Sequence, residues 1–175
     1  MKNPTQSADK KSKLNIRRLT LCAVLCAAAL TIFVAEAQIP LPIALPGVKL
    51  GLANVITLVA LLFLGWREAF MILLIRILLG AIFVGQPSTL LYSLSGGLIC
   101  LAVEVLLLKF MGKKFIGEIS VIGAMVHNTV QILCAAAITR SVSVFWYLPP
   151  LLIVGAITGA FCGICALLIY KRKNS

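Results

Sequence analysis

The sequence has few charged residues and very few acidic ones. Charged side chains make up 12% of its 175 residues, whereas soluble domains usually carry about 25%. Five residues are acidic, and Asp9 is the one aspartate. Because enzymes that handle diphosphates with Mg²⁺ need several carboxylates around the metal, this scarcity argues against a catalytic or metal site in the chain. Walker A, GxSxG, HExxH and Rossmann patterns are missing as well, so the sequence predicts neither an enzyme nor a bound cofactor.

Long apolar runs dominate instead. Hydrophobic residues make up 61% of the chain, and its mean hydropathy is +1.09. Six runs are candidate membrane-spanning helices: 18–37, 51–65, 68–84, 89–108, 119–138 and 147–170. The second run is near the lower length limit for crossing a bilayer. We therefore predict an all-α integral membrane protein with a bundle of about six transmembrane helices over residues 18–170. Basic tails at 1–17 and 171–175 flank this domain.

The positions of the basic residues predict the orientation of the bundle. Of the 16 Lys and Arg residues, 13 lie in segments on the side of the N-terminus, Lys49 and Arg140 lie on the other side, and Arg76 lies inside the third run. Lys and Arg accumulate in cytoplasmic loops, so we expect both termini to be cytoplasmic in a multi-pass, lipid-embedded protein of the cell membrane. The basic residues form no stripe with interleaved aromatics, so the net charge of +11 does not indicate nucleic-acid binding.

The end of the first apolar run permits a second interpretation. Ala35, Glu36 and Ala37 form an A-x-A pattern after a basic segment and an apolar stretch, which is typical of a cleaved secretory signal. Cleavage there would leave five spans. The run is close to full span length and the charge pattern fits six spans best, so we favour an uncleaved first helix.

Polar side chains inside the apolar runs or at their outer ends are the candidate substrate-binding residues, because polar groups at membrane depth cost free energy. In the fifth run, His127 and Gln131 lie four residues apart and therefore share one helical face. The predicted set is Lys49, Asn54, Arg76, His127, Asn128 and Gln131. Cationic and hydrogen-bonding groups together favour a small-molecule ligand with anionic or acceptor groups.

Structural roles for the same residues stay open. Arg76 could form an ion pair with Glu104 of the fourth run, and Asn, Gln and His often form hydrogen bonds between membrane helices. Two stripes of small residues indicate close helix packing. Gly155, Gly159 and Gly163 form a GxxxGxxxG pattern in the sixth run, and Ala23 and Ala27 form an AxxxA pattern in the first.

Four segments resemble the Gx transporter family, whose members also carry the name heptaprenyl diphosphate synthase component I. The first of them, Pro-Gly-Val-Lys-Leu-Gly-Leu-Ala-Asn-Val, is fairly specific, and the resemblance covers roughly residues 18–168. The segments are 46–55, Arg-Ile-Leu-Leu-Gly at 76–80, Tyr-Ser-Leu-Ser-Gly-Gly at 92–97 and Val-His-Asn at 126–128.

The resemblance implies a function. The family is similar to the substrate-binding S components of energy-coupling factor (ECF) transporters, which are six-helix membrane proteins that capture micronutrients from outside. They act with a T component and two ATPases, and their first helix often carries an AxxxA surface for the T component, which Ala23 and Ala27 match. We therefore expect an S-component-like subunit that captures a small ligand for ATP-driven uptake.

Two other functions stay open. One is a membrane accessory subunit, component I, of a heptaprenyl diphosphate synthase in isoprenoid or quinone biosynthesis. The other is a stand-alone transporter that needs no ATPase.

Overall fold

The computed structural model describes residues 4–39, 49–85 and 87–174. All regular secondary structure in these ranges is helical, which confirms the prediction of an all-α fold. Two short 3₁₀ helices, Lys113–Phe115 and Val142–Tyr147, precede the last two α-helices. The six α-helices are α1 (Pro4–Glu36), α2 (Asn54–Phe63), α3 (Trp66–Val84), α4 (Pro87–Met111), α5 (Ile116–Thr139) and α6 (Leu148–Asn174). Helix α1 begins well before the predicted span, and the described part of the basic tail is helical.

Four segments are long and apolar enough to cross a membrane, judged by length and composition. They are Ile16–Glu36, Leu90–Met111, Lys113–Thr139 and Val142–Arg172. They correspond to the first, fourth, fifth and sixth predicted spans. Helix α3 has 19 residues, which is about 28 Å at 1.5 Å per residue, and it carries three charged residues, Arg67, Glu68 and Arg76.

Helix α2 is shorter than the predicted span at 51–65. Its 10 residues cover about 15 Å, roughly half of a hydrocarbon core. Gly51 and Gly65 bound it with φ angles of 82° and 115°, conformations that glycine adopts without steric cost. Although it is short, α2 packs against all five other helices and therefore lies at the centre of the bundle.

Two contacts fix which helix ends lie together. Arg18 Nη1 lies 4.0 Å from Glu68 Oε1, so the apolar part of α1 and helix α3 begin at the same end of the bundle. Lys113 Nζ donates a hydrogen bond of 3.4 Å to Leu62 O, which brings the connection between α4 and α5 to that end as well. We call this end the Arg18 end and the opposite one the Gly51 end.

The glycine stripe of α6 faces α5, which is its most extensive packing partner. A methyl group added at Gly159 would lie 2.8 Å from Val121 Cα, and one added at Gly163 would lie 2.8 Å from Gly117 Cα. These distances are too short for any residue with a side chain. The stripe therefore lets the two backbones approach, as small residues do at membrane helix interfaces.

Candidate functional site

Polar side chains from five segments of the chain, all of them buried except the half-buried Asn54, gather between the middle of the bundle and its Gly51 end. We call this set the polar core. Its charged members are about as buried as the surrounding apolar side chains, with exposed fractions of 5% for Glu36, 5% for Lys49 and 2% for Arg76. The polar core consists of Glu36, Lys49, Asn54, Arg76, His127 and Gln131.

The end of α1 holds the segment that leads into α2. The Gly51 backbone N–H donates a hydrogen bond to Glu36 Oε1. Lys49 Nζ donates to Phe33 O at 3.2 Å and lies 3.2 Å from the centroid of the Phe33 ring. Because residues 49–51 have no regular secondary structure, these contacts with α1 help to determine where Lys49 and Gly51 lie.

Lys49 lies outside the helices, and its environment disfavours the charged ammonium. Burial lowers the pKa of Lys49 from 10.5 to about 8, because a buried charge loses its hydration. The nearby Glu36 carboxylate opposes this pKa shift and the Arg76 guanidinium adds to it. Near neutral pH the side chain remains mostly protonated, so the polar core holds two cationic groups, Lys49 and Arg76.

Helices α2 and α3 contribute an arginine–amide pair. Arg76 Nη2 donates a hydrogen bond of 2.5 Å to Asn54 Oδ1. Two donors of the same pair, Arg76 Nε and Asn54 Nδ2, are buried and have no hydrogen-bond partner among the described residues. The pair therefore has N–H groups available for an acceptor that the described part of the chain does not provide.

Helix α5 contributes a second hydrogen-bonded pair. Gln131 Oε1 accepts a hydrogen bond of 3.3 Å from the Lys49 backbone N–H, so its amide nitrogen is directed to His127, at 2.9 Å from Nε2. An amide nitrogen only donates, which assigns the acceptor role to His127 Nε2 and the proton of the neutral ring to Nδ1. Nδ1 faces Gly96 of α4, where a methyl group would lie 3.0 Å from it.

Asn128 does not join the other five predicted binding residues. Its side chain is fully buried and Nδ2 donates a hydrogen bond of 2.8 Å to Leu151 O of α6. Adjacent residues on a helix point about 100° apart, so His127 faces the polar core while Asn128 faces α6. In this structure Asn128 joins α5 to α6, while Lys49, Asn54, Arg76, His127 and Gln131 come together.

The structure also answers the question of an Arg76–Glu104 ion pair. Within the described ranges these two side chains do not come within 4.0 Å of each other. Arg76 bonds to Asn54, and Glu104 Oε1 accepts a hydrogen bond of 3.6 Å from Cys100 Sγ. The ion-pair interpretation is therefore wrong at the level of direct contact.

Glu36 is the member of the polar core that the sequence-based set lacks. In the sequence it belongs to the A-x-A pattern at the end of the first apolar run. A carboxylate in the last turn of an apolar helix was the available signal, because such a group either reaches solvent or finds a partner. Its partner is the Gly51 backbone, which no spacing rule connects to Glu36.

The alanine pair of α1 lies on a different surface. Ala23 and Ala27 are both exposed and line an apolar groove of about 890 Å³ between α1 and α3. Arg18 and Glu68 lie at one end of this groove. The structure thus leaves the side chains of the AxxxA stripe exposed.

Comparison with known proteins gives one finding. The sequence model of a family described as heptaprenyl diphosphate synthase component I matches residues 25–169. No curated protein and no solved structure gives a significant match.

Proposed function

The chain belongs to the heptaprenyl diphosphate synthase component I family, and we propose that it is a non-catalytic membrane subunit that binds a small polar ligand in its polar core and works with partner proteins. Ligand binding rests on the side chains themselves. The family name includes the word component, which supports a role in an assembly.

The observation that carries the proposal is that the arginine–amide pair has two N–H groups without hydrogen-bond acceptors. Placing one arginine at the centre of a membrane helix costs about 2.5–3.5 kcal/mol on insertion scales, and an unsatisfied buried polar group costs about 1–3 kcal/mol more. The described chain leaves Arg76 Nε and Asn54 Nδ2 unsatisfied. A bound ligand that accepts these hydrogen bonds would offset the cost. In a purely structural cluster, we would expect acceptors of the protein itself to satisfy both donors.

The distribution of carboxylates favours binding over catalysis. Glu36 and Glu104 are buried on different helices, and Glu118 lies exposed near the start of α5. A synthase that activates a diphosphate through Mg²⁺ needs acidic ligands gathered at one place. If the chain takes part in prenyl diphosphate synthesis, the acidic ligands therefore come from a partner.

Two kinds of partner fit this role. The family name favours a prenyl diphosphate synthase, with this chain as its membrane accessory subunit. The position of the polar core near the Gly51 end and the exposed Ala23–Ala27 stripe favour the substrate-binding subunit of an ECF-type transporter, docked through that stripe. A stand-alone transporter would need neither partner.

Affinity purification from native membranes separates these possibilities. We expect the tagged protein to retain partners that fall into one class: a soluble, aspartate-rich synthase for the accessory subunit, or two ATPases with a membrane T component for uptake. Mass spectrometry of small molecules in the same sample identifies the ligand. A protein that carries neither partner nor ligand under conditions that keep the bundle folded would contradict the proposal.

The partner surface has its own test. Replacing Ala23 and Ala27 by leucine fills the stripe and should abolish partner retention, because small residues permit close helix contact. Ligand retention should not change, since the groove is separate from the polar core. The matched control is Ala102→Leu, at an exposed alanine of α4, which should retain partners normally. Normal retention by the doubly substituted protein would exclude the stripe as the docking surface.

A further inference from the structure

The polar core has more hydrogen-bond donors than acceptors. The unsatisfied atoms of its arginine–amide pair, Arg76 Nε and Asn54 Nδ2, are both N–H donors. Lys49 Nζ has three protons, one of which goes to Phe33 O. Two other side-chain oxygens of the described residues are buried without a partner, Asn128 Oδ1 and Thr57 Oγ1. Asn128 is directed at α6, and the Thr57 hydroxyl forms no hydrogen bond with Arg76 or Asn54. What the polar core lacks is therefore an oxygen acceptor.

The nearby carboxylates do not supply this acceptor. Glu36 is engaged with the Gly51 backbone. Glu104 bonds to Cys100, and its carboxylate packs against Gly123 of α5, where an added methyl group would meet it at 2.7 Å. Among the described residues, neither carboxylate forms a hydrogen bond to the guanidinium of Arg76. The group that completes the site must come from outside these residues.

We propose that this group is the carboxylate or phosphate of the ligand, held by Arg76 Nε and Asn54 Nδ2 with Lys49 nearby. This inference rests on the proposed function and adds the chemical class of the ligand. Guanidinium groups form strong, charge-assisted hydrogen bonds to carboxylate and phosphate oxygens. A neutral amide or a cationic ligand would leave the surplus of donors, or of positive charge, in place.

The direct test measures how small probes change the melting temperature of the purified protein in nanodiscs of phosphatidylcholine, a lipid without net charge. The probes are sodium acetate, inorganic phosphate and acetamide at equal ionic strength. We expect acetate or phosphate to raise the melting temperature, because a ligand that binds only the folded state stabilises it. Acetamide has the shape of acetate without its charge and should have no effect. Which anion acts more strongly distinguishes a carboxylate ligand from a phosphate ligand.

One substitution gives an outcome opposite to that of structural damage. Asn54→Asp replaces the unsatisfied amide nitrogen by a carboxylate oxygen beside Arg76. The ligand-free protein should then melt at a higher temperature, and its affinity for the anion should fall by about 10- to 150-fold, the range expected for losing a hydrogen bond to a charged group. The matched control is Asn128→Asp, which removes the donor to Leu151 O. It should melt at a lower temperature and keep the anion response.

A further variant protects the test against misfolding. Arg76→Lys keeps the charge but lacks the Nε–H donor, so it should fold and respond more weakly to the anion. An equal response to acetamide and acetate, or a neutral or cationic compound retained by wild type and lost in Arg76→Lys, would overturn the anionic ligand and leave the proposed function intact. No probe response, together with no compound whose retention depends on Asn54 or Arg76, would overturn both.

Discussion

At the scale of single residues, Lys49 is held between opposing influences. The Glu36 carboxylate stabilises its ammonium, while burial and the Arg76 guanidinium destabilise it. If the proposed anion binds beside Lys49, its binding and the protonation of Lys49 are linked. A ligand anion favours the protonated form, and deprotonation weakens the hold on the anion.

This linkage predicts a pH dependence. The pKa of Lys49 is about 8 in the folded protein and near 10.4 in an unfolded chain, so the unfolded chain binds more protons between these values. The stability of the ligand-free protein should therefore rise with pH across this interval, and its affinity for acetate should fall. Acetate suits the measurement because it stays ionised throughout.

The matched variant for this prediction is Lys49→Arg, because a guanidinium keeps its charge over the same pH range. Its acetate affinity should be nearly constant where that of the wild type falls. Glu36, Arg76 and His127 are the other titratable groups around the site, and all three remain in the variant. An equal fall of affinity in both proteins would assign the pH dependence to one of them instead of Lys49.

The side chains of α5 show what sequence spacing predicts and what it leaves undetermined. Because His127 and Gln131 are four residues apart, their common face followed from helical geometry, and they do bond to each other. Asn128 looked equivalent by residue type, yet it bonds to α6. Which stripe of a helix faces which neighbour depends on the packing of the whole bundle, and one sequence does not contain that information in readable form.

At the scale of helices, hydropathy predicted where helices occur better than it predicted how long each helix is. Apolar runs predicted the helical segments well, because a helix satisfies its own backbone in lipid. The run at 51–65 is apolar throughout, but helix α2 covers Asn54–Phe63. Gly51 and Gly65 take φ angles that interrupt a helix, and hydropathy averages are insensitive to such angles.

The interface between α5 and α6 gives a prediction at this scale. Gly159→Ala places a methyl group 2.8 Å from Val121 Cα and 2.9 Å from Ser120 O, so the two backbones must separate. We expect a loss of about 1–3 kcal/mol in the free energy of unfolding, the usual cost of overpacking. Thermal or denaturant unfolding in detergent measures it.

The matched control is Gly117→Ala in α5, where an added methyl group meets no atom within 4 Å. This substitution should not destabilise the protein, since alanine favours helix more than glycine does. If both alanine variants unfold alike, close approach at Gly159 is not what holds the two helices together.

At the scale of the whole molecule, the two ends of the bundle differ in charge and in contacts. The Arg18 end carries the Arg18–Glu68 pair and the Lys113 contact to α2, and the positive-inside rule predicts that it is cytoplasmic. The polar core lies nearer the Gly51 end, so the predicted orientation places the site in the outer half of the membrane. The proposed capture of a ligand from outside requires this orientation.

Labelling of single cysteines in intact cells tests the orientation and the number of spans together. A membrane-impermeant thiol reagent should modify Ser143→Cys and spare Lys114→Cys and Arg67→Cys, all at exposed positions. In permeabilised cells all three variants should be labelled, and the unsubstituted protein gives the background of its six native cysteines.

Ser143 and Lys114 report on the orientation of α5. Arg67 lies between α2 and α3 and reports on both helices. It lies outside only if neither α2 nor α3 crosses the membrane. Labelling of Arg67→Cys with Lys114→Cys spared would therefore establish four crossings instead of six. The 13 basic residues on the predicted inner side and the Arg18–Glu68 contact favour six, because both place the start of α3 with the N-terminal side of α1.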